Sequence, residues 1–185
     1  MVRQPGTHGV VPTPAGHVPA VEASIGNTCA GCRAAGRCRF GLRLRPLEDG
    51  SIAGTAFFTA EHEGAGGVVH GGSTMGALDE ACGCVVLATG VLGVTAEMDV
   101  RFRRPVPVGR ELRVRAWPES RDERGHWMIN AEIGLDGEDR ALCVARARFV
   151  ERDPTVHYGR FRDWLTGSGT AAPETSGAVG DIGAY

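Results

Sequence analysis

The chain has 185 residues, a length that suits one domain with a sizeable core. Its net charge of −2, and the lack of any apolar run long enough to cross a bilayer, argue against a nucleic-acid-binding or a membrane-spanning protein. Six cysteines without a secretory signal favour a reducing, cytoplasmic location.

The chain begins with a stretch rich in proline and glycine over residues 1–27, which has no lasting periodicity and is predicted to be a flexible arm. Cys29, Cys32 and Cys38 follow, and their spacing leaves zinc binding, redox chemistry and free thiols open. A structural zinc site usually has two cysteine pairs, and this stretch has one. We therefore predict free thiols and no metal.

Strands and one helix are predicted next. Residues 42–45 alternate apolar and charged side chains, and residues 52–58 resume as a second strand after a turn. A glycine-rich loop then leads to an apolar run over 73–89, which predicts a buried helix. Ser73 is the predicted N-cap of this helix and Gly90 its stop.

Four alternating strands follow the helix. In the first, over 91–104, apolar residues alternate strictly with Thr95, Glu97, Asp99, Arg101 and Arg103. Short polar turns join the later strands, so they are predicted to be antiparallel. A curved antiparallel sheet wrapped around one central buried helix satisfies both patterns, an α+β domain over 28–152. Residues 153–185 are predicted to form a short helix and a disordered tail.

Two adjacent carboxylates, Asp79 and Glu80, lie within the apolar helical run, where a carboxylate needs a partner or a role. Gly71 precedes Asp79 by eight residues, which is about 12 Å of helical rise. Free N–H groups at a helix start favour an anion. The pattern permits an oxyanion donor at Gly71 or Gly72 and a carboxylate at Asp79, with the substrate along the helix or a second chain completing the site. A purely structural loop and helix remain the alternative.

Three motifs resemble the hotdog-fold thioesterases, and in particular their phenylacetyl-CoA-thioesterase-like branch. His70-Gly71-Gly72, six residues and then Asp79-Glu80 resemble the HGG…DE signature of that branch. The sequence FRRPVPVG over 102–109 resembles a strand end of the same branch, and residues 29–32 and 41–44 resemble its leading segment. The resemblance implies a hotdog fold.

The resemblance also implies hydrolysis of an acyl thioester on coenzyme A or on an acyl carrier protein. The amide of Gly71, with Gly72 beside it, would hold the oxyanion, and Asp79 would act as general base on water or as nucleophile. His70 would contact the thioester or brace the loop.

Further roles follow from the same resemblance. Arg103 and Arg104 belong to the strand-end motif, and a guanidinium suits the phosphates of coenzyme A. Some relatives carry Asn or Gln in the loop before HGG to orient the substrate, where this chain has Glu63 and Gly64. Related sites lie between subunits, so a homodimer or homotetramer is expected, without a cofactor.

Other functions remain open for a hotdog protein of a biosynthetic pathway. A dehydratase needs a histidine poised with a carboxylate, and the helix has none after His70. A cyclase, or a protein that binds an acyl or polyketide intermediate without hydrolysing it, would need a substrate pocket but could lack the general base. The presence of Asp79 favours the hydrolase.

Overall fold

The structure, a computed structural model, describes residue 32 and residues 37–153, 155–157 and 159. The predicted arm over 1–27, Cys29 and the predicted tail from residue 160 lie outside the described residues. In the part of the chain that is described, no helix is both long and apolar enough to cross a membrane.

Six strands form one antiparallel sheet in the order β1-β2-β6-β7-β8-β5, and two short strands, β3 and β4, form a hairpin before the helix. The elements in chain order are β1 (Arg43–Pro46), β2 (Ile52–Phe57), a 3-10 turn (Ala60–His62), β3 (Glu63–Ala65), β4 (Val68–Val69), α1 (Gly71–Leu87), β5 (Leu92–Phe102), β6 (Glu111–Arg121), β7 (His126–Leu135) and β8 (Ala141–Arg152).

The core lies between α1 and one face of the sheet. Every second residue of β7 is buried against the helix, namely Trp127, Ile129, Ala131 and Ile133. The helix contributes Ala77, Leu78, Ala81, Cys82, Val85 and Val86, all at most 1% exposed. Burial of one face of the sheet explains the predicted alternation of the strands, and burial of much of the helix explains its apolar run. The predicted hotdog architecture of class α+β is confirmed.

The helix starts two residues earlier than the sequence suggested, so the prediction of Ser73 as N-cap is wrong. His70 is the N-cap, and its ring Nδ1 accepts a hydrogen bond from the N–H of Gly72 at 3.0 Å. The carbonyl of His70 accepts from the N–H groups of Ser73 and Thr74. An imidazole therefore takes the place that a hydroxyl or carboxylate usually fills.

The strand β5 contains a bulge that the predicted strict alternation did not include. Thr95 pairs with Phe149 and Glu97 pairs with Arg148, so Ala96 is the extra residue. Thr95 and Phe102 thus face the helix together, although their numbers differ in parity. The edge strand β5 pairs with β8 on one side and with no described strand on the other.

Candidate functional site

Among the described residues, the start of α1 has one backbone N–H group without a bonded acceptor. The N–H of Gly72 is bonded to the His70 ring, and those of Ser73 and Thr74 to the His70 carbonyl. Within the described part of the chain, no acceptor is bonded to the N–H of Gly71. The helix dipole adds positive potential at this end, so the Gly71 amide suits a carbonyl oxygen that is gaining negative charge.

The ring of Phe102 borders this amide. Its Cζ lies 3.4 Å from the point where a Cβ on Gly71 would stand, and Phe102 is 50% exposed. The neighbouring Met75, one helical turn on, is 40% exposed. The free amide therefore stands beside accessible apolar surface.

The loop before the helix is tightly packed against His70. A Cβ on Gly64 would stand 2.9 Å from the Cα of His70, so only glycine fits there without a shift. The Glu63 carboxylate accepts a hydrogen bond from the N–H of Gly67 and closes the β3–β4 turn. The Nδ1 of His70 accepts the N–H of Gly72, so the ring lies against the start of the helix.

The two adjacent carboxylates of α1, Asp79 and Glu80, have different neighbours. Both are half-buried, but Asp79 points to the edge strand, where the hydroxyl of Thr95 donates a hydrogen bond to its Oδ1 at 2.7 Å. Burial raises the pKa of Glu80, the charge of Asp79 raises it further, and Arg39 acts in the opposite direction. Asp79 and Glu80 therefore have different surroundings.

Thr95 was not identified from the sequence as a site residue. On a strictly alternating strand, Thr95 would lie on the same face as the charged side chains and on the opposite face from Met98 and Val100. The bulge at Ala96 reverses that relation and turns Thr95 to the helix. The one feature of the sequence that could have pointed to Thr95 is that it is uncharged, whereas the other residues predicted on that face of the strand are charged.

The two predicted phosphate-binding arginines differ in availability. Nη1 of Arg104 lies 3.0 Å from a carboxylate oxygen of Glu138, and Nη2 donates to the carbonyl of Arg140 at 2.8 Å. The side chain of Arg103 is exposed and has no bonded partner among the described residues. Arg103 is therefore the one of the pair that can bind an incoming anion without breaking an ion pair.

The described cysteines are free thiols, and most are buried. Burial raises the pKa of Cys84 to about 12 and that of Cys143 to about 11, and it also raises the pKa of Cys82. Such thiols are poor nucleophiles at neutral pH. Within the described residues, no three His, Cys, Asp or Glu side chains gather in an arrangement that could hold a metal ion.

The sequence profile described as thioesterase superfamily matches residues 66–124, which run from the loop before α1 into the turn after β6. No curated protein matched the sequence.

Several solved structures share the fold. One, described as a thioesterase superfamily protein, is 30% identical with a TM-score of 0.54, and the match covers 58% of this chain but only 54% of that one. A protein of Ralstonia eutropha JMP134, related to phenylacetic acid degradation, is 28% identical over 63% of this chain and 88% of its own, with a TM-score of 0.55. A hypothetical thioesterase of Streptococcus pneumoniae TIGR4, solved with coenzyme A, is 20% identical over 58% of this chain and 86% of its own, with a TM-score of 0.53. The predicted resemblance to the hotdog thioesterases is confirmed.

Proposed function

We propose that this chain, which matches the hotdog thioesterases in sequence and fold, hydrolyses an acyl thioester carried by coenzyme A or an acyl carrier protein. The observation that carries the proposal is that one helix presents two groups: the Gly71 N–H, which has no bonded acceptor among the described residues, and the Asp79 carboxylate, which accepts a hydrogen bond from Thr95. The coenzyme A in the Streptococcus pneumoniae structure supports coenzyme A as the carrier.

In the proposed reaction the thioester carbonyl oxygen accepts a hydrogen bond from the Gly71 N–H. Asp79 removes a proton from a water molecule, and the resulting hydroxide adds to the carbonyl carbon to give an oxyanion at Gly71. Collapse of this intermediate breaks the C–S bond, and the thiolate takes up the proton, so a carboxylic acid and a free thiol are released. Direct attack by Asp79, through a mixed anhydride that water then cleaves, gives the same products.

The Thr95 contact favours the route through water. It holds one oxygen of Asp79 in place, and the other oxygen is left to accept a proton. A general base must lie within hydrogen-bond distance of the water whose proton it removes, so a carboxylate held in one orientation suits this role.

One chain cannot bring these two groups to the same carbonyl. Eight residues separate Gly71 from Asp79 within α1, a rise of about 12 Å. The reacting atoms must approach to about 3–3.5 Å. We therefore propose a homodimer, or a dimer of dimers, in which Gly71 of one subunit works with the Asp79 of the other, and in which the open edge of β5 forms part of the contact.

Release of free thiol from a panel of acyl-CoAs, followed with a thiol dye, tests the activity. We expect Asp79→Asn to lower turnover at least ~100-fold, the scale of a lost general base, and Glu80→Gln to have a far smaller effect. Wild-type protein that binds acyl-CoA but releases no thiol would contradict the hydrolase and favour a binding protein.

The oxyanion donor can be removed with little change to the helix. Gly71 is the first helical residue, where proline is well tolerated, and His70 has the extended backbone angles that a residue before proline adopts. Gly71→Pro deletes the N–H, whereas Gly71→Ala keeps it and is the matched control. We expect a large loss of turnover in the first variant and a small one in the second.

Mixing variants tests the shared site. In an equal mixture of Asp79→Asn and Gly71→Pro chains, half of the dimers are mixed and each has one intact site of two, so about one quarter of wild-type activity returns. A site formed within one chain gives no recovery at all.

A further inference from the structure

His62 lies where three segments meet beside the start of α1. It is the last residue of the turn Ala60–His62, and its ring packs edge-on against Phe58, with the ring centroids 5.4 Å apart. Phe40 lies on another side, with a centroid distance of 6.3 Å. The side chain is half-buried, and the proposed chemistry assigns it no role.

Both ring nitrogens of His62 are used inside the protein. Nε2 lies 2.6 Å from the carbonyl oxygen of Arg39, which can only accept, so Nε2 carries the proton. Nδ1 accepts from the N–H of Thr59 at 3.1 Å, so it must be unprotonated. The contacts therefore fix a neutral ring in one tautomer.

The backbone of His62 supports the candidate oxyanion donor. Its carbonyl oxygen accepts a hydrogen bond from the N–H of His70 at 2.7 Å. His70 is the N-cap of α1, and its carbonyl carbon is bonded to the Gly71 nitrogen. A shift of the turn at His62 would therefore move the peptide unit that carries the free N–H.

The Nε2 contact holds a different part of the chain. Arg39 is followed by Phe40, whose ring covers α1 at Gly76: a Cβ on that glycine would stand 2.6 Å from Cζ of the ring. Gly76 lies about one helical turn before Asp79 and Glu80. The ring of His62 thus joins a segment that covers the helix to the loop that begins it.

We propose that His62 is a positioning residue for the thioester cleavage proposed above. Its ring holds residues 37–41 against the turn over 59–62, and this clamp fixes the Gly71 N–H in the direction of the substrate carbonyl. His62 touches neither the substrate nor the attacking water. The inference rests on the proposed function for its kinetic consequence, but the clamp itself is a property of the fold.

Two substitutions separate the two ring contacts. In His62→Asn, the amide oxygen replaces Nδ1 and keeps the contact to Thr59, but the side chain is too short to reach Arg39. In His62→Gln, the amide nitrogen can reach the Arg39 carbonyl, and the contact to Thr59 is lost. Glu61→Gln is the matched control, because Glu61 is exposed on the same turn.

We expect each His62 variant to lower kcat for acyl-CoA about tenfold with KM changed less than about twofold, since a donor displaced by a fraction of an ångström fails mainly in the transition state. The Glu61→Gln control should match the wild type. A change confined to KM, or a kcat within twofold of wild type in both variants, would overturn the inference.

Amide hydrogen exchange gives a second readout that needs no substrate. We expect faster exchange in peptides covering residues 66–75 of both His62 variants, with unchanged exchange in β7. If the wild type cleaves no acyl-CoA, the proposed function fails, while this exchange pattern still supports the clamp. If the wild type is active and the exchange at 66–75 is unaltered, the clamp fails and the proposed function stands.

Discussion

The bond between Thr95 and Asp79 predicts the effect of a single isosteric change. Thr95→Val keeps the shape and the β-branched character of the side chain and removes only the hydroxyl that donates to the Asp79 carboxylate at 2.7 Å. The carboxylate remains in place but loses the contact that directs it. We therefore expect the variant to fold normally and to be a poorer catalyst.

The expected magnitude follows from the surroundings of the pair. A hydrogen bond to a charged group contributes about 1.5–3 kcal/mol, and the lower end applies here because Thr95 is exposed and water can replace part of the contact. A loss of about 1.4 kcal/mol corresponds to a tenfold fall in kcat/KM. Thr55→Val is a matched control, since Thr55 is also a strand threonine and its hydroxyl has no bonded partner among the described residues.

A double-mutant cycle decides whether Thr95 acts through Asp79. In an Asp79→Asn background the proposed base is already lost, so Thr95→Val should change the residual rate less than about twofold. Thiol release from one good acyl-CoA substrate measures all four proteins. An equal tenfold loss in both backgrounds, or no loss in the wild-type background, would refute the reasoning.

Four further outcomes are expected. Arg103→Gln should raise KM for acyl-CoA about fivefold at constant kcat, and Arg104→Gln less than twofold, because only the first guanidinium is unpaired among the described residues; steady-state kinetics at two salt concentrations measures this. A hydrogen bond from Arg121 lowers the pKa of Glu151, and one from Trp127 lowers it further, whereas burial raises it. The charged carboxylate therefore stabilises the fold at pH values above 4.5, the ordinary pKa of a glutamate. This stabilisation is lost as the pH falls through the lowered pKa of Glu151. Glu151→Gln should therefore cost about 1 kcal/mol in urea unfolding at neutral pH, and this deficit should shrink below pH 4.5. Light scattering should give at least twice the 19.5 kDa chain mass, and the monomer mass in an active preparation would contradict the shared site. Elemental analysis should find well under one zinc per chain, and a stoichiometric zinc that disappears in Cys29→Ser would contradict the prediction of free thiols.

The sheet and the helix were predictable because burial imposes a period that the sequence must follow. Strands β6 to β8 have one face against the helix, so their alternation shows in the residues themselves. The placement of Asp79 on the helix was also predictable, since a carboxylate stands out in an apolar run, and its catalytic role stays a prediction. The hairpin of β3 and β4 was missed, because its strands have three and two residues, too few for any period.

The helix start and the partner of Asp79 could not be predicted for different reasons. Histidine is an uncommon N-cap, so the sequence pointed to Ser73, the first residue of the usual capping type. Thr95 was hidden because a bulge has no reliable residue signature and changes the facing of every residue on one side of it. The role of His62 depends on contacts with Arg39 and His70, which are 23 and 8 residues away along the chain.

The unpaired Ala96 makes the length of β5 as important as its composition. Residues before it and after it face the helix with opposite parity, from Thr95 on one side to Phe102 on the other. Deletion of Ala96 would restore strict alternation along β5. Either Thr95 would then point away from Asp79, or the apolar residues after position 96 would point away from the core. No side chain of the site would have been altered. We therefore expect insertions and deletions at this point to affect the site more strongly than most substitutions in the strand. They would change which side chains of β5 face Asp79 while the residues of the site stay the same.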